Sequence, residues 1–327
     1  MKLERYAGIT AAIASGVLVL AGCGGQNPRS TDDSTGAEGG EKSGQVSGEV
    51  RVDGSSTVQP LTAAAGELFK EENPGVDVSV ATSGTGGGFK KFCAGETDIS
   101  DASRAIKPEE KAECEKNGVE FAEIQVANDA LTVVANPENT WATCLTIDQL
   151  KKIWEPAAEG RITSWKQVDP TFPDERLVLY GPGTDSGTFD YFTDEINGEE
   201  GASRADYSAS EDDNVLVQGV AGTKGALGYF GLSYFEENSD KLKAVQIDGG
   251  EGCVEPSVET AQAGEYTPLG RPLFIYVSKK AYAEPHVKAF VDFYVKSEEE
   301  ITDLAKFVPL NDDQRKKARD AVAGLAG

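Results

Sequence analysis

Gly181-Pro182-Gly183-Thr184-Asp185-Ser186-Gly187-Thr188-Phe189-Asp190-Tyr191-Phe192 is the stretch on which the reading of this chain turns. It follows a short apolar run, Leu177 to Tyr180, that reads as a buried strand. It leads into Thr188 to Ile196, where Phe189, Phe192 and Ile196 recur at helical spacing. Strand, glycine-rich hydroxyl loop and helix start therefore follow one another. The first N–H groups of a helix have no carbonyl partner, and the aligned peptide dipoles place partial positive charge there. Such a junction can hold an anion without any lysine. Ser186 and Thr188 add hydroxyl donors.

The same design occurs twice more. Glu49 to Asp53 reads as a strand, Gly54-Ser55-Ser56-Thr57-Val58 as a small polar loop, and Pro60 as the opening of a helix with Leu61, Ala64, Ala65, Leu68 and Phe69 on one face. Val76 to Ala81 alternates like a strand, Ser83-Gly84-Thr85-Gly86-Gly87-Gly88 is the loop, and a helix is expected to start at Phe89. Three loops of one kind point to one shared ligand. Capping alone accounts for any single hydroxyl among Ser56, Thr57, Ser83, Thr85 and Thr188, but not for the repetition.

The chain begins with Lys2 and Arg5, continues with an apolar segment from Ala7 to Leu20, and reaches Leu20-Ala21-Gly22-Cys23, which looks like a bacterial lipobox. Residues 1–22 are expected to be a lipoprotein signal peptide, and Cys23 the acylated N-terminus that tethers an otherwise soluble protein to a membrane face. Residues 23–47, rich in Gly, Ser, Thr and acids, read as a flexible leash. About 280 residues remain, enough for two cores.

The formal net charge is −24, and loss of Lys2, Arg5 and Glu4 with the signal makes it one unit more negative. This excess argues against nucleic acid and anionic lipid as partners. It also requires any anion site to work through local donors in a cleft, since distant charges are screened beyond about 8 Å. Cys23 apart, Cys93, Cys114, Cys144 and Cys253 form an even set in an exported chain, which fits disulfides. No Cys-x-x-Cys spacing supports a structural zinc site, and no metal or other cofactor is expected.

Further along, Asp98 to Arg104 reads as a strand and turn, Pro108 to Asn117 as a helix, Ala130 to Ala135 as a buried strand and Ile147 to Trp154 as a helix. Val215 to Ala221 reads as helix, Ala226 to Phe230 and Pro272 to Val277 as strands, and Pro285 to Leu325 as mostly helical. Strands alternating with helices place the chain in the α/β class, with mainly parallel sheets expected. Ligands in such folds sit at the carboxyl ends of strands, where all three loops lie.

Six motifs in order now carry a resemblance: Gly54 to Val58, Ser83 to Phe89, Asp101-Ala102-Ser103-Arg104, Gly181 to Phe189, Ala226 to Phe230, and Arg271-Pro272-Leu273-Phe274-Ile275-Tyr276-Val277. From about Val50 to its end the chain resembles the phosphate-binding proteins of bacterial phosphate ABC transporters. The resemblance implies a two-lobed, periplasmic-binding-protein-like (type II) α/β fold with the ligand cleft between the lobes. Residues 48–128 and 269–327 would form lobe I and residues 129–268 lobe II, with crossings near Asn128 to Val133 and Tyr266 to Tyr276 and hinge closure on the ligand. Of the three possible cysteine pairings, Cys93 with Cys114 and Cys144 with Cys253 keeps each pair within one lobe.

Carried over by position, the resemblance assigns phosphate to Thr57 and the N–H of Val58, to Thr85, and to Ser186, Gly187 and Thr188, with Ser56 and Ser83 nearby. Well-known members pair an aspartate in the region of Ser103 with an arginine just before the third loop. Here Ser103 is followed by Arg104, and Pro182 and Gly183 stand where that arginine would fall. Arg104 is therefore expected to supply the guanidinium. Phosphate near neutral pH keeps a proton that sulfate lacks, so a carboxylate acceptor would separate the two. Asp185 is either that acceptor or a helix cap, and Asp101 is the alternative acceptor.

The implied function is capture of inorganic phosphate outside the cytoplasm and delivery to the permease subunits of an ABC transporter, by a monomer anchored to the cell membrane. The alternatives are another tetrahedral oxyanion or a small phosphate ester. A serine hydrolase built on Ser186 would need a base, and His286, the one histidine, lies far along the chain.

Overall fold

The structure is a computed structural model that describes residues 46–184 and 186–327. The signal, Cys23 and most of the leash lie outside the described residues, as does Asp185.

β1 (Gly48–Gly54) turns Val50 and Val52 into the core. α1 (Gln59–Glu72) has Pro60 in its first turn, where the missing N–H costs no helical bond, and buries Leu61, Ala64, Ala65 and Phe69. β2 (Val76–Thr82) lies parallel to β1. α2 (Gly84–Cys93) starts inside the glycine run, five residues before the expected Phe89. Glycine is a poor helix former, so packing must decide this start. A Cβ at Gly88 would stand 2.5 Å from the Gly54 Cα, and only glycine lets the helix lie against the end of β1.

β3 (Ile99–Ala102) and α3 (Pro108–Lys116) follow, and then β4 (Phe121–Ala135), of which sequence reading found only the second half. The chain continues through β5 (Cys144–Thr146), α4 (Ile147–Trp154), α5 (Trp165–Val168) and β6 (Val178–Gly181) to α6 (Gly187–Phe192), which runs on as a π turn, Thr193–Asn197. Next come β7 (Ser208–Ala209), α7 (Asp213–Ala221), β8 (Ala226–Gly231), α8 (Leu232–Glu237), β9 (Lys243–Ala244), β10 (Gln246–Asp248), β11 (Cys253–Val254) and α9 (Val258–Ala263). β12 (Gly270–Ser278), α10 (Lys279–Tyr282), α11 (Pro285–Lys296), α12 (Glu298–Ala305) and α13 (Asp312–Leu325) complete it.

The main sheet runs β2-β1-β3-β12-β4-β8-β6-β7. Its two ends are parallel, β1 with β2 and β3, and β6 with β7 and β8. Its middle is antiparallel, because β12 opposes both β3 and β4, and β4 opposes β8. The mainly parallel expectation is corrected here: β4 and β12 carry the chain between two cores in opposite directions. β4 pairs with β12 up to Ala130 and with β8 from Leu131 onward.

One core gathers Val50, Leu61, Phe69, Ile275, Phe290 and Tyr294, and the other Leu131, Trp154, Trp165, Phe192, Tyr229 and Leu269. Two cores on one continuous sheet make a two-lobed α/β fold. Val308, between α12 and α13, belongs to the second core and bridges to Asn128, so the C-terminal segment touches both. Cys93 is bonded to Cys114, within a smaller cluster with Phe89, Phe92 and Tyr276, and Cys144 to Cys253, joining β5 to β11. Among the described residues no helix is long and apolar enough to cross a membrane.

Candidate functional site

Because β1, β2 and β3 are parallel and in register, with Gly54 level with both Thr82 and Asp101, their carboxyl ends open at one edge. Ser55 to Val58, Ser83 to Gly86, and Ser103 with Arg104 leave from that edge. β12 is antiparallel to β3 and therefore begins there, which delivers Arg271 to the same place. From the other core, α6 brings its first turn against the first loop. A Cβ on Gly187 would stand 3.1 Å from the Thr57 Oγ1 and 3.3 Å from its N.

These elements enclose a cleft of about 380 Å³. Of the expected residues, Ser56, Thr57, Thr85, Ser103 and Arg104 line it. The Val58 side chain is fully buried in the core, leaving only its backbone for the site. Ser186 caps α6, its Oγ accepting the Thr188 N–H at 3.2 Å. Thr188 faces a separate cavity of about 470 Å³, shared with Pro60 and Asp213. The third loop thus reaches the first at Gly187, and its hydroxyls are not gathered with the others.

Ser83 gives its hydroxyl proton to Asp53 at 2.6 Å, and Lys91 holds the other oxygen of that carboxylate. Burial pushes the Asp53 carboxyl up, but these two donors outweigh it and leave the group below its usual range. Thr85 Oγ1 lies 3.0 Å from Ser103 Oγ and accepts the Ser103 N–H at 3.2 Å, so the second loop and the turn after β3 are joined.

Arg104 lines the cleft with an ion pair already made. Both of its terminal nitrogens donate to Glu110 at 2.8 Å, and it stands over the Phe89 ring. Burial raises the Glu110 carboxyl, while Arg104 and the Lys107 N–H pull it back below its ordinary range. The Arg104 fork is thus already engaged by a carboxylate.

Sequence reading passed over Arg271 as a ligand, although it heads one of the quoted motifs. Its Nη2 donates to Thr57 Oγ1 at 3.0 Å, its Nε donates to Asp129 at 3.2 Å, and its guanidinium lies 3.3 Å above the centre of the Tyr191 ring. One side chain therefore touches the first loop, β4 and α6. A guanidinium has five N–H donors in a rigid fork, so two protein partners leave donors for an anion. The available signal was a lone cation ahead of a buried strand in a very acidic chain.

The opposite wall is acidic: Asp190, Asp194, Glu195 and Glu200 line the cleft, and none of these carboxylates takes a hydrogen bond or ion pair among the described residues. Burial pushes Asp190 and Glu195 up, neighbouring acids add to this, and Arg271 pulls both down. The alternative acceptor, Asp101, is fully buried behind the first loop and does not line the cleft. His286 Nε2 lies 3.1 Å from the Glu49 carbonyl, at the start of β1 and thus at the opposite end of that strand from the loops, so no Ser186–His286 pair is assembled.

Residues 39–299 match a family model described as a PBP superfamily domain. The chain is 50% identical over 270 residues to Protein SphX of Synechocystis sp., covering 82% of this chain and 80% of that protein. It is 40% identical over 294 residues to the phosphate-binding protein PstS of Staphylococcus saprophyticus, covering 90% and 85%. A crystal structure described as a possible phosphate binding protein from Planctomyces limnophilus shares 47% identity and superposes with a TM-score of 0.83 over 86% of this chain and all of that one. A two-lobed fold, hydroxyl loops at the carboxyl ends of three parallel strands and these similarities together place the chain in the phosphate-binding protein family of the PBP superfamily.

Proposed function

We propose that the chain is an extracytoplasmic solute-binding protein that holds inorganic phosphate in the cleft and passes it to the permease of an ABC importer. The observation that carries this reading is Arg271, a largely buried guanidinium shared between Thr57 and the second lobe's Tyr191 and aimed at the edge where the helix starts converge. An anion seated there gains charge-assisted bonds from Arg271, the Thr57 and Thr85 hydroxyls and the N–H groups opening α1 and α2. The Thr57–Gly187 contact lets closure of the lobes on the anion be driven by contacts made only in the closed form. Ser56, Ser103, Arg104 and the Val58 N–H form the near surroundings of the anion, with Gly187 closing from the other lobe. Asp190 and Glu195, the two of the four lining carboxylates that feel Arg271, accept the phosphate proton in this reading, a proton that sulfate lacks.

Acylation at Cys23 and a monomer reaching its permease on the leash of residues 23–47 complete the picture. Calorimetric titration of signal-free protein, unfolded and refolded to strip bound ligand, tests it. Tight one-to-one heat with phosphate and none with sulfate supports the reading. No heat with phosphate overturns it, and heat with a phosphate ester alone turns it to the ester alternative.

A further inference from the structure

Asp101 is the next-to-last residue of β3 and is fully buried, yet it stands directly behind the first loop. Its backbone carbonyl accepts the Ser55 N–H at 3.0 Å. Gly54 is pressed so close that a Cβ there would lie 2.1 Å from the same carbonyl oxygen. The carboxyl Oδ1 accepts the Thr62 hydroxyl of α1 at 2.9 Å, and Thr62 Oγ1 is 3.3 Å from the Tyr294 hydroxyl of α11. Oδ2 is buried without any hydrogen-bond partner. Loop and helix therefore meet at one residue of β3, the loop at its backbone carbonyl and α1 at its carboxyl.

No cation offsets it among the described residues. β1 faces it with Asp53, whose charge is already matched by Lys91 of α2. α11 offers the neutral phenol of Tyr294, with Glu298 of α12 near that phenol, β12 sets Ile275 opposite, and α1 contributes only Thr62. An ionised carboxylate here would have one protein donor and no cation, so burial favours the neutral acid. Burial pushes its carboxyl up to about 8, Thr62 opposes the shift, and Asp53 adds to it.

We propose that Asp101 is a positioning residue for the anion site: its backbone carbonyl holds the first loop, its neutral carboxyl ties β3 to α1 through Thr62, and ionised, it sets an unpaired negative charge behind that loop and weakens the anion's hold. The consequence is loss of affinity on the alkaline side beyond what phosphate's own proton causes. This inference rests on the phosphate reading of the cleft.

The test is phosphate affinity by calorimetry from pH 6.5 to 9.5 for the native protein, Asp101→Asn and Thr62→Val. The amide of Asp101→Asn copies the neutral carboxyl and cannot ionise. The native protein should lose about tenfold more affinity over this range than Asp101→Asn does, the direction set by one added negative charge behind the loop. Thr62→Val removes the donor that favours the ionised form and should move the alkaline loss to higher pH. Superimposed profiles for native protein and Asp101→Asn overturn the proposal. If Asp101→Asn does not fold, an unmoved Thr62→Val profile overturns it equally. Absence of phosphate binding by the native protein at pH 7 is a different result, and it removes the phosphate reading itself.

Discussion

Arg271 and Asp129 stand directly opposite each other in the antiparallel β12–β4 pair, and their side chains meet at 3.2 Å with only 16% and 8% of their surfaces exposed. The pair lies where both strands pass from one core to the other, so the site's cation is held at the crossing itself. Burial raises the Asp129 carboxyl and Arg271 draws it back. Removing one partner strands the other.

Arg271→Ala should therefore have two separable effects. Phosphate affinity should fall by about a hundredfold or more, from loss of charge-assisted bonds, and stability by about 3 kcal/mol, because Asp129 is left buried and unpaired. Adding Asp129→Asn should recover much of the stability and none of the binding. Calorimetry and thermal melts of the single and double variants separate the effects, and recovery of binding in the double variant would contradict the role assigned to Arg271.

The acidic wall gives a prediction about selectivity. Asp190→Asn and Glu195→Gln should each weaken phosphate and strengthen sulfate, since an amide can donate to a fully ionised oxyanion where a carboxylate repels it. Competition titrations read both affinities. An equal rise for both anions would mean that the carboxylates only repel.

Gly88→Ala should destabilise the protein by about 2 kcal/mol, because the new Cβ meets backbone at Gly54 and Asp53 that has no freedom to yield. Gly324→Ala, in α13 with open space at its Cβ, should not destabilise it. Paired thermal melts give the contrast.

The two disulfides close loops of very different size, with sequence separations of 21 and 109. On chain entropy alone, replacing Cys144 and Cys253 by Ser should cost about 1.5 kcal/mol more than replacing Cys93 and Cys114. Denaturant unfolding of the two double variants measures the difference, and the reverse order would point to native-state strain or denatured-state structure.

Asp213, in the first turn of α7, has its carboxyl pushed up to about 6, by burial first and by Asp212 and Glu211 after it. A carboxyl raised in the folded state holds its proton more tightly there than in the unfolded chain. Its contribution is complete below about pH 4, declines through the window up to about pH 6 and is constant above. Asp213→Asn should remove that decline and gain up to roughly 2 kcal/mol at pH 7. Melting temperatures from pH 4 to 7 follow it.

Much of this molecule was legible in the chain because it depends on local rules. Alternation gave β2, the Pro60 opening and apolar stripe gave α1, and the thrice-repeated hydroxyl loop at strand ends gave the side of the sheet on which the cleft lies. Those signals depend on side-chain period and backbone freedom, which neighbouring residues settle among themselves. What only the tertiary structure decided is which groups meet there. Arg104 satisfies Glu110 six residues away, whereas Arg271 reaches Thr57 across more than two hundred residues because β12 runs antiparallel beside β3. The glycine run became helix because Gly88 packs on Gly54, against its own propensity. Strand direction, register and close packing are long-range outcomes, and they determined which of the chain's charges meet at the cleft.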